Sequence, residues 1–478
     1  MTRSKCTTAL AKISATLASL QRPVQAYRGN LLTCGVNFGR FKSTSTARDS
    51  TWSMLVLPNT PPLPVGANLD AKTFASQLIG VRSQLINYDI DNYGDSIRYV
   101  INVENYLDQL IKNTSQQLND KTIEAMIEHS ANCVIAKVIP WKGIKIGGSK
   151  RKIFKSSKLE IDWKLIDEIV ATVISICFIY VKIAAELVND LIDSEVGSET
   201  IDKWKQVINF YKIAISFSLF GQKIVNESSF DSFSFTIITK IIDISIQMSI
   251  LSKSSWINRD SYKNSESFKT TNNGTLARVA IFIVDELKNL QSLVNLTTND
   301  ITVDLTNWLD YLSIVEKYNL AYAGQFLSIE YYQQNKLGQA IGLVEFSLLS
   351  LQTKSIGDTT SRFGKVLNKV KTKRNENILS KLDSVTTLKI DKTIFAEKSG
   401  IVLNDISYLF DLLVQLHLKY TKENSTLVFD QIVNWKDIKK DSKWPTGCQI
   451  PVTSVNPFNP FASNVSKAVT NSGREGYY

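Results

Sequence analysis

Seven long segments with helical spacing of apolar residues fill most of the chain from Trp163 onward. Within each segment apolar residues recur every three or four positions, so they lie on one face of a helix. Breaks rich in Asn, Ser and Asp separate the segments. Because short links between long helices favour antiparallel neighbours, the sequence predicts a mainly α scaffold. The segments are Trp163–Asp190, Glu199–Val225, Asp231–Leu251, Thr275–Val294, Thr306–Gln334, Leu337–Gln352 and Ile401–Tyr420.

One helix pair is unusually clear in the stretch "VEKYNLAYAGQFLSIEYYQQNKLGQAIGLVEFSLLSL", residues 315 to 351. The apolar pattern stops near Tyr332, a polar turn spans Gln334 to Gly338, and the pattern then resumes. This is the layout of one unit of a helical repeat. The second helix is predicted to bury Ala340, Ile341, Val344 and Leu348.

The helical pattern is interrupted between Cys133 and Ile161. The segments "CVIAKVIPWKGIKI" and "KLEIDW" are rich in β-branched residues that partly alternate, and a Gly-rich basic stretch connects them. Such alternation is typical of short strands, so a small β-hairpin is predicted here.

Composition excludes several classes of protein. The chain has 478 residues, of which 44% are hydrophobic and 21% charged, as expected for a chain with a sizeable core. The longest uncharged apolar run, Ile169–Val181, is shorter than the roughly 18 residues that span a bilayer, so no transmembrane helix is predicted. Five scattered cysteines and two histidines predict no zinc site, disulfide framework or cofactor, and a reducing compartment fits best.

The N-terminus is strongly basic, because the chain before Asp49 carries eight Lys or Arg and no acid. Residues 1–53 are therefore expected to be an extension, either a mitochondrial transit peptide or an arm upstream of a natural start at Met54. The same arm contains "CGVNFGR", from Cys34 to Arg40, which has the spacing of a phosphatase loop. Its flanks offer neither the buried strand nor the helix which that chemistry requires.

Two further segments suggest partners. The run from Lys142 to Lys158 has seven Lys or Arg and no acid, so it either contacts an anionic membrane or forms a solvated loop. It lacks the interleaved aromatics of a nucleic-acid groove, and no nucleic-acid partner is expected. The tail holds two Asn-Pro-Phe tripeptides, which either bind EH-domain proteins or fold back on the domain. They comprise Asn456, Pro457, Phe458, Asn459, Pro460 and Phe461.

Four motifs together resemble the Bro-domain family: "IPWKG" at Ile139, "FIYVKIAAEL" at Phe178, the helix pair above, and the exit motif "LVFDQIVNWKDIKKD" at Leu427 followed by "IPVTSVNP". The family's usual acid after Trp-Lys is replaced by Gly143. The resemblance implies one curved, tetratricopeptide-like helical domain with a small β-hairpin over residues 54–451. Residues 452–478 would then form a flexible tail.

The resemblance also implies a function, that of a non-enzymatic adaptor which docks the C-terminal helix of the polymer-forming ESCRT-III subunit. The segment "TLARVAIFIVDEL" resembles the helix that lines the family's docking groove, which points to Thr275, Leu276, Val279 and Ile283 as partner contacts. With Leu287, the last three form a single stripe that is equally compatible with a core position. Docking of this kind requires apolar side chains exposed in a row.

The short tail after the domain is most similar to that of the fungal members in alkaline-pH signalling, which would link a pH-sensing membrane complex to ESCRT-III. Such a protein would be cytoplasmic and recruited to endosomal or plasma membrane. Endosomal cargo sorting is an alternative function for a Bro-domain protein. A mitochondrial enzyme that uses Cys34 is an alternative from another class.

Overall fold

The computed structural model describes residues 57–461, except 71–73, 87, 91, 119, 148–160, 266–267, 269, 297–300, 307, 352–403, 435–436, 439–443 and 453. The described part is mainly helical, which confirms the predicted fold class. Its α-helices are α1 Ser76–Ser83, α2 Tyr93–Gln116, α3 Ile123–Asn132, α4 Leu165–Ile192, α5 Ser198–Ile224, α6 Ser234–Ser265, α7 Asn273–Asn295, α8 Trp308–Gln333, α9 Leu337–Ser350 and α10 Asn404–Glu423.

Helix α4 forms the centre of the core and packs against α2, α5 and α6. Its sequence is apolar around nearly the whole circumference, and a helix of that kind must be covered on every side. Two helices, Leu165–Ile192 and Ser234–Tyr262, are long and apolar enough to cross a membrane. The most apolar stretch of the first helix is 100% buried inside the protein and that of the second is 72% buried, as expected of core helices.

Short strands form three separate two-stranded sheets in the described part. The strands are β1 Leu63–Pro64, β2 Val134–Ala136, β3 Trp141–Lys142, β4 Ile144–Ile146, β5 Trp163–Lys164 and β6 Ile301–Val303. The antiparallel pairs are β1 with β3, β2 with β5, and β4 with β6. The predicted hairpin across the basic connection is present as the pair of β2 and β5. The other two described strands of this region, β3 and β4, pair instead with β1 and β6 from distant parts of the chain.

A buried carboxylate joins the strands to the helices. Glu168 of α4 is fully buried and accepts hydrogen bonds from Arg82 Nε at 2.8 Å, the Tyr106 hydroxyl at 2.8 Å, and the indole nitrogens of Trp141 and Trp163 at 2.8 and 2.9 Å. The Arg82 guanidinium also donates to two backbone carbonyl oxygens, one directly after β1 and one directly before β3. A buried ion pair is tolerated only when its remaining hydrogen-bonding groups are satisfied. The hydrogen-bond network around Glu168 and Arg82 therefore holds α1, α2, β3 and β5 in one arrangement.

The predicted helix pair is present as α8 and α9. The turn between them places Asn335 at φ 59°, a left-handed conformation that Asn tolerates better than most residues. The helices approach closely at Gly324, where a Cβ would lie 2.1 Å from Ser347 Oγ. All four residues that the sequence assigned to the buried face of α9 are at most 1% exposed: Ala340, Ile341, Val344 and Leu348.

Candidate docking surfaces

After α10 the chain forms a π-helical turn, Asn424–Val428, and the described residues from there to Phe461 form no helix or strand. We call residues 430–461 the exit segment. It first crosses α9, where Val433 N donates to Gly338 O at 3.1 Å. A Cβ on Gly338 would lie 2.2 Å from Gln431 O, and one on Gly342 would lie 2.3 Å from Val433 O. The two glycines of α9 therefore allow the exit segment to approach this helix closely.

The exit segment next crosses the outer face of α7. Arg278 Nε donates to Thr446 O at 3.0 Å, and Cys448 N donates to Arg278 O at 3.0 Å. Between these two contacts, Gly447 lies directly on the helix, and a Cβ there would be 2.7 Å from the N and Cα atoms of Phe282. Backbone-to-backbone approach of this kind requires Gly.

The segment then passes over α6 and α5. The side-chain amide of Gln247 donates to Ile450 O at 2.9 Å and accepts from Ile450 N at 3.1 Å. On α5, Ser216 Oγ donates to Asn456 O at 2.8 Å, and Phe458 N donates to Ser216 O at 3.0 Å. The exit segment therefore connects four helices of the scaffold, α9, α7, α6 and α5.

The two Asn-Pro-Phe tripeptides lie at the end of this path. The Phe458 ring stacks on Phe217 with a centroid distance of 4.5 Å and meets Phe220 edge-on at 5.4 Å. Phe461 is also half-buried against the core. The Asn459 side chain accepts from Phe461 N at 3.0 Å, so the expected Asx turn forms.

This conformation corresponds to the second of the two alternatives for the tripeptides, in which the Phe side chains fold back on the domain, and binding to an EH domain stays a prediction. The exposed groups of the motif are the polar and Pro residues Asn456, Pro457 and Asn459, with Pro460 half-buried. The physical reason is that burial of an aromatic ring against other aromatic rings is more favourable than its exposure to water.

The predicted groove on α7 also requires correction. Leu276, Val279 and Ile283 are 7%, 0% and 0% exposed, and Leu287 is buried with them. They form no exposed row because α7 packs between α6 and α8, and the stripe faces those helices. Of the four predicted contacts only Thr275 is exposed.

The outward face of α7 instead carries Thr275, Arg278 and Phe282, and Phe282 is half-buried. Beside it, Lys240 of α6 pairs with Glu286 at 2.5 Å. Burial raises the pKa of the nearby Asp243, while Lys240 opposes that shift. We call this face, together with the half-buried exit residues Ile450 and Val452, the strap face.

A second surface was missed by the sequence reasoning. Leu427 and Phe429 are 75% and 74% exposed, and Val428 and Ile432 are 40% and 45% exposed. We call these four residues the apolar tip. The available signal was a run of bulky apolar residues directly after α10, outside any helical period, within the exit motif itself.

Other predicted features fall partly or wholly outside the described residues. Residues 1–53, with Cys34, lie outside, as do 148–160 of the basic run and the tail beyond 461. Within the described part of the basic run, Lys145 pairs with Asp304 at 2.5 Å, and Lys142 is exposed on β3. No group of His, Cys, Asp and Glu in the described part could hold a metal ion.

Comparison with known proteins gives three similar solved structures. The ALIX BRO1 domain in the "ALIX BRO1 CHMP4C complex" is 16% identical with a TM-score of 0.47, and the match covers 82% of this chain and 88% of that one. ALIX in complex with the SIVmac239 PYKEVTEDL late domain is 14% identical with a TM-score of 0.48, covering 82% of this chain and 44% of that one. A Bro1 domain studied for endosomal targeting is 11% identical with a TM-score of 0.38, covering 77% and 97%.

None of the curated proteins matches the chain. A family model, described as a family of unknown function (DUF5355), matches residues 163–478. That range is more than half of the 478 residues, and the chain therefore belongs to this family.

Proposed function

We propose that this protein is a non-enzymatic adaptor of the Bro type that docks the C-terminal amphipathic helix of the polymer-forming ESCRT-III subunit. The observation that carries the proposal is the course of the exit segment. The residues that resemble the family's exit motif begin a segment that crosses α9, α7, α6 and α5 and joins them into one surface. A surface held together across several helices suits a scaffold, because it can present a fixed face to a partner.

The strap face is the place for the partner helix. It offers the half-buried apolar side chains of Phe282, Ile450 and Val452 beside a charged rim made by Lys240 and Glu286. An amphipathic helix that lies along the exit segment would bury its apolar side against the first group and keep its polar side at the rim. This placement replaces the buried stripe of α7 as the proposed contact.

The proposal is tested by titrating the labelled C-terminal helix of the ESCRT-III subunit with the purified full chain. Phe282 is already half-buried, so covering the rest of its ring on binding is worth about 0.5 to 1 kcal/mol, and Phe282→Ser should weaken binding about 2- to 5-fold. Leu296→Ser is the matched control, since Leu296 is 65% exposed just beyond the far end of the same helix. A wild-type chain that fails to bind the helix contradicts the proposal. If Phe282→Ser binds the helix as tightly as the wild type does, the partner helix contacts another surface of the protein.

We further propose that the adaptor acts as PalC does, in fungal alkaline-pH signalling, between a pH-sensing membrane complex and ESCRT-III at endosomal or plasma membrane. This part rests on the resemblance of the motifs. Growth of a null mutant at alkaline pH tests it. Normal growth combined with defective delivery of membrane cargo would favour the alternative function in endosomal cargo sorting.

A further inference from the structure

The apolar tip is exposed although much of the surrounding backbone is well held. Asn424 is 7% exposed and clamps the loop, because its side-chain amide donates to Asp430 O at 2.9 Å and accepts from Asp430 N at 2.8 Å. Phe429 N donates to Asn424 O at 2.8 Å. The clamp closes the loop below Leu427 and Phe429 and directs both side chains away from the helices.

The backbone at the centre of the tip is strained. Phe429 has φ 60° and ψ 31°, the left-handed region that bulky side chains rarely occupy. Strain of this kind persists only where surrounding contacts enforce it, and it is concentrated at binding and switch sites. Here the clamp enforces a conformation whose main consequence is that a Phe ring is placed in solvent.

Charged side chains around the tip favour an anionic surface. Lys422 and Lys336 are exposed beside it, on the last turn of α10 and at the start of α9. The two nearest carboxylates are engaged with the domain: Asp430 accepts from Gly338 N at 3.4 Å, and Glu423 interacts with the Tyr332 hydroxyl. Asp437 is exposed on the next turn, so the positive charge is modest and apolar contact must supply most of the attraction.

The apolar tip is too small to form a stable protein–protein interface by itself. Four partly exposed side chains offer on the order of 300 to 400 Å² of apolar area, whereas a stable interface buries about 800 Å² on each partner. The most exposed pair, Leu427 and Phe429, retains about three quarters of its surface in water, so neither lies in a groove that a helix could enter. A bilayer needs no complementary groove, because lipid chains adapt to whatever side chain enters.

We propose that the apolar tip inserts Leu427 and Phe429 into an anionic lipid bilayer, with Lys336 and Lys422 at the headgroups. This contact is separate from the docking of a partner helix on the strap face, and it is also distinct from any contact by the basic run at Lys142. It gives the scaffold a defined orientation on the membrane, since the tip lies at the junction of α9 and α10.

The test is co-sedimentation of the full chain with vesicles that contain phosphatidylcholine and phosphatidylserine in a ratio of two to one. The variant combines Leu427→Asn with Phe429→Asn, because Asn tolerates the left-handed backbone and the fold should survive. We expect its vesicle binding to fall at least tenfold with an unchanged melting temperature. Pure phosphatidylcholine vesicles should bind the wild type about tenfold more weakly, through loss of the lysine contribution.

Leu296→Asn is the control, since it removes an apolar side chain that is 65% exposed from a different part of the surface, and this variant should bind vesicles as the wild type does. The proposal is overturned if the wild type does not bind anionic vesicles, or if the double variant binds as well as the wild type. It is also overturned if the double variant abolishes self-association of the chain while vesicle binding is unchanged. Titration with the ESCRT-III helix should be unaffected by the double variant, which separates this proposal from the proposed function.

Discussion

The stripe of α7 and the apolar tip have similar residues and opposite environments. Leu276, Val279 and Ile283 are at most 7% exposed, whereas Leu427 and Phe429 are 74% exposed or more. The stripe has helical spacing and lies on a helix packed between two others, α6 and α8. The tip lies beyond the end of α10, where the clamp of Asn424 prevents its side chains from folding back. The contrast shows that helical spacing of apolar residues is first of all a signal of packing.

The largest expected effect is at the centre of the buried stripe. Val279→Asp places a carboxylate where no water reaches, so the free energy of unfolding should fall by about 4 kcal/mol or more. Chemical denaturation measures it. The control Thr275→Asp lies in the first turn of the same helix, on the exposed side, and should change stability by no more than about 0.5 kcal/mol. A fully stable Val279→Asp protein would mean that the stripe faces solvent after all.

The exit segment is intermediate, because it is partly exposed but held closely to the helices. In Gly447→Ala the added Cβ would lie 2.7 Å from the backbone of Phe282, and the segment must lift at this point. We expect a loss of about 1 to 3 kcal/mol and faster proteolytic cleavage in the exit segment. Gly66→Ala is the matched control, since a Cβ there meets nothing within 4 Å. Equal cleavage of wild type and Gly447→Ala would show that the segment is not held through this contact.

The half-buried carboxyl group of Glu104 makes stability depend on pH. Burial raises the pKa of Glu104 to about 7, while the hydrogen bond from the Tyr180 hydroxyl at 2.6 Å opposes the shift. The folded state therefore holds the proton more tightly than the unfolded state, and wild-type stability should fall as pH rises from about 4.5 to 7. Glu104→Gln should match the wild type near pH 4.5.

At pH 8 the same variant should be more stable than the wild type by about 1 to 2 kcal/mol, after allowance for partial exposure. Thermal denaturation at a series of pH values measures the difference. Tyr180→Phe removes the opposing hydrogen bond and should move the wild-type transition to higher pH. A difference that does not change with pH would show that Glu104 is not desolvated.

The smallest effect on stability is expected at the tip. Phe429→Gly removes left-handed strain of about 1 to 2 kcal/mol from the folded state. It also gives the unfolded chain more conformational entropy, which opposes folding by a similar amount, so the free energy of unfolding should change by about 0.5 kcal/mol or less. The measurement is again chemical denaturation. A loss of several kcal/mol would indicate that the Phe429 ring packs against the domain, and the contrast with Val279 would then disappear.

Periodicity predicted much of the fold but little of the strand pairing. The α8 and α9 pair, its turn and its buried face follow directly from local spacing, since the two helices are consecutive in the chain and contact each other. The sheets do not follow, because β4 pairs with β6 although helices α4 to α7 lie between them in the chain. Strands as short as these carry too little pattern to choose a partner.

The candidate sites were harder still. The sequence identified the exit motif and the Asn-Pro-Phe tripeptides as notable, but it could not show that Phe458 packs on Phe217. It identified the α7 helix but left open whether the stripe at Val279 was a docking face or part of the core. Position along a helix fixes which residues share a face, and only the neighbouring helices determine which face is covered.

The amino-acid sequence by itself therefore determined the mainly helical class, the approximate extents of the long helices, and which residues of each helix lie together. These properties follow from spacing, which acts over a few residues. The tertiary structure alone determined that the stripe at Val279 is buried, that the exit segment crosses four helices, and that Phe429 is held in solvent. Each of these depends on contacts between residues far apart in the chain, such as Gly447 with Phe282 and Asp430 with Gly338. The local sequence around one residue does not specify which distant residue it will contact.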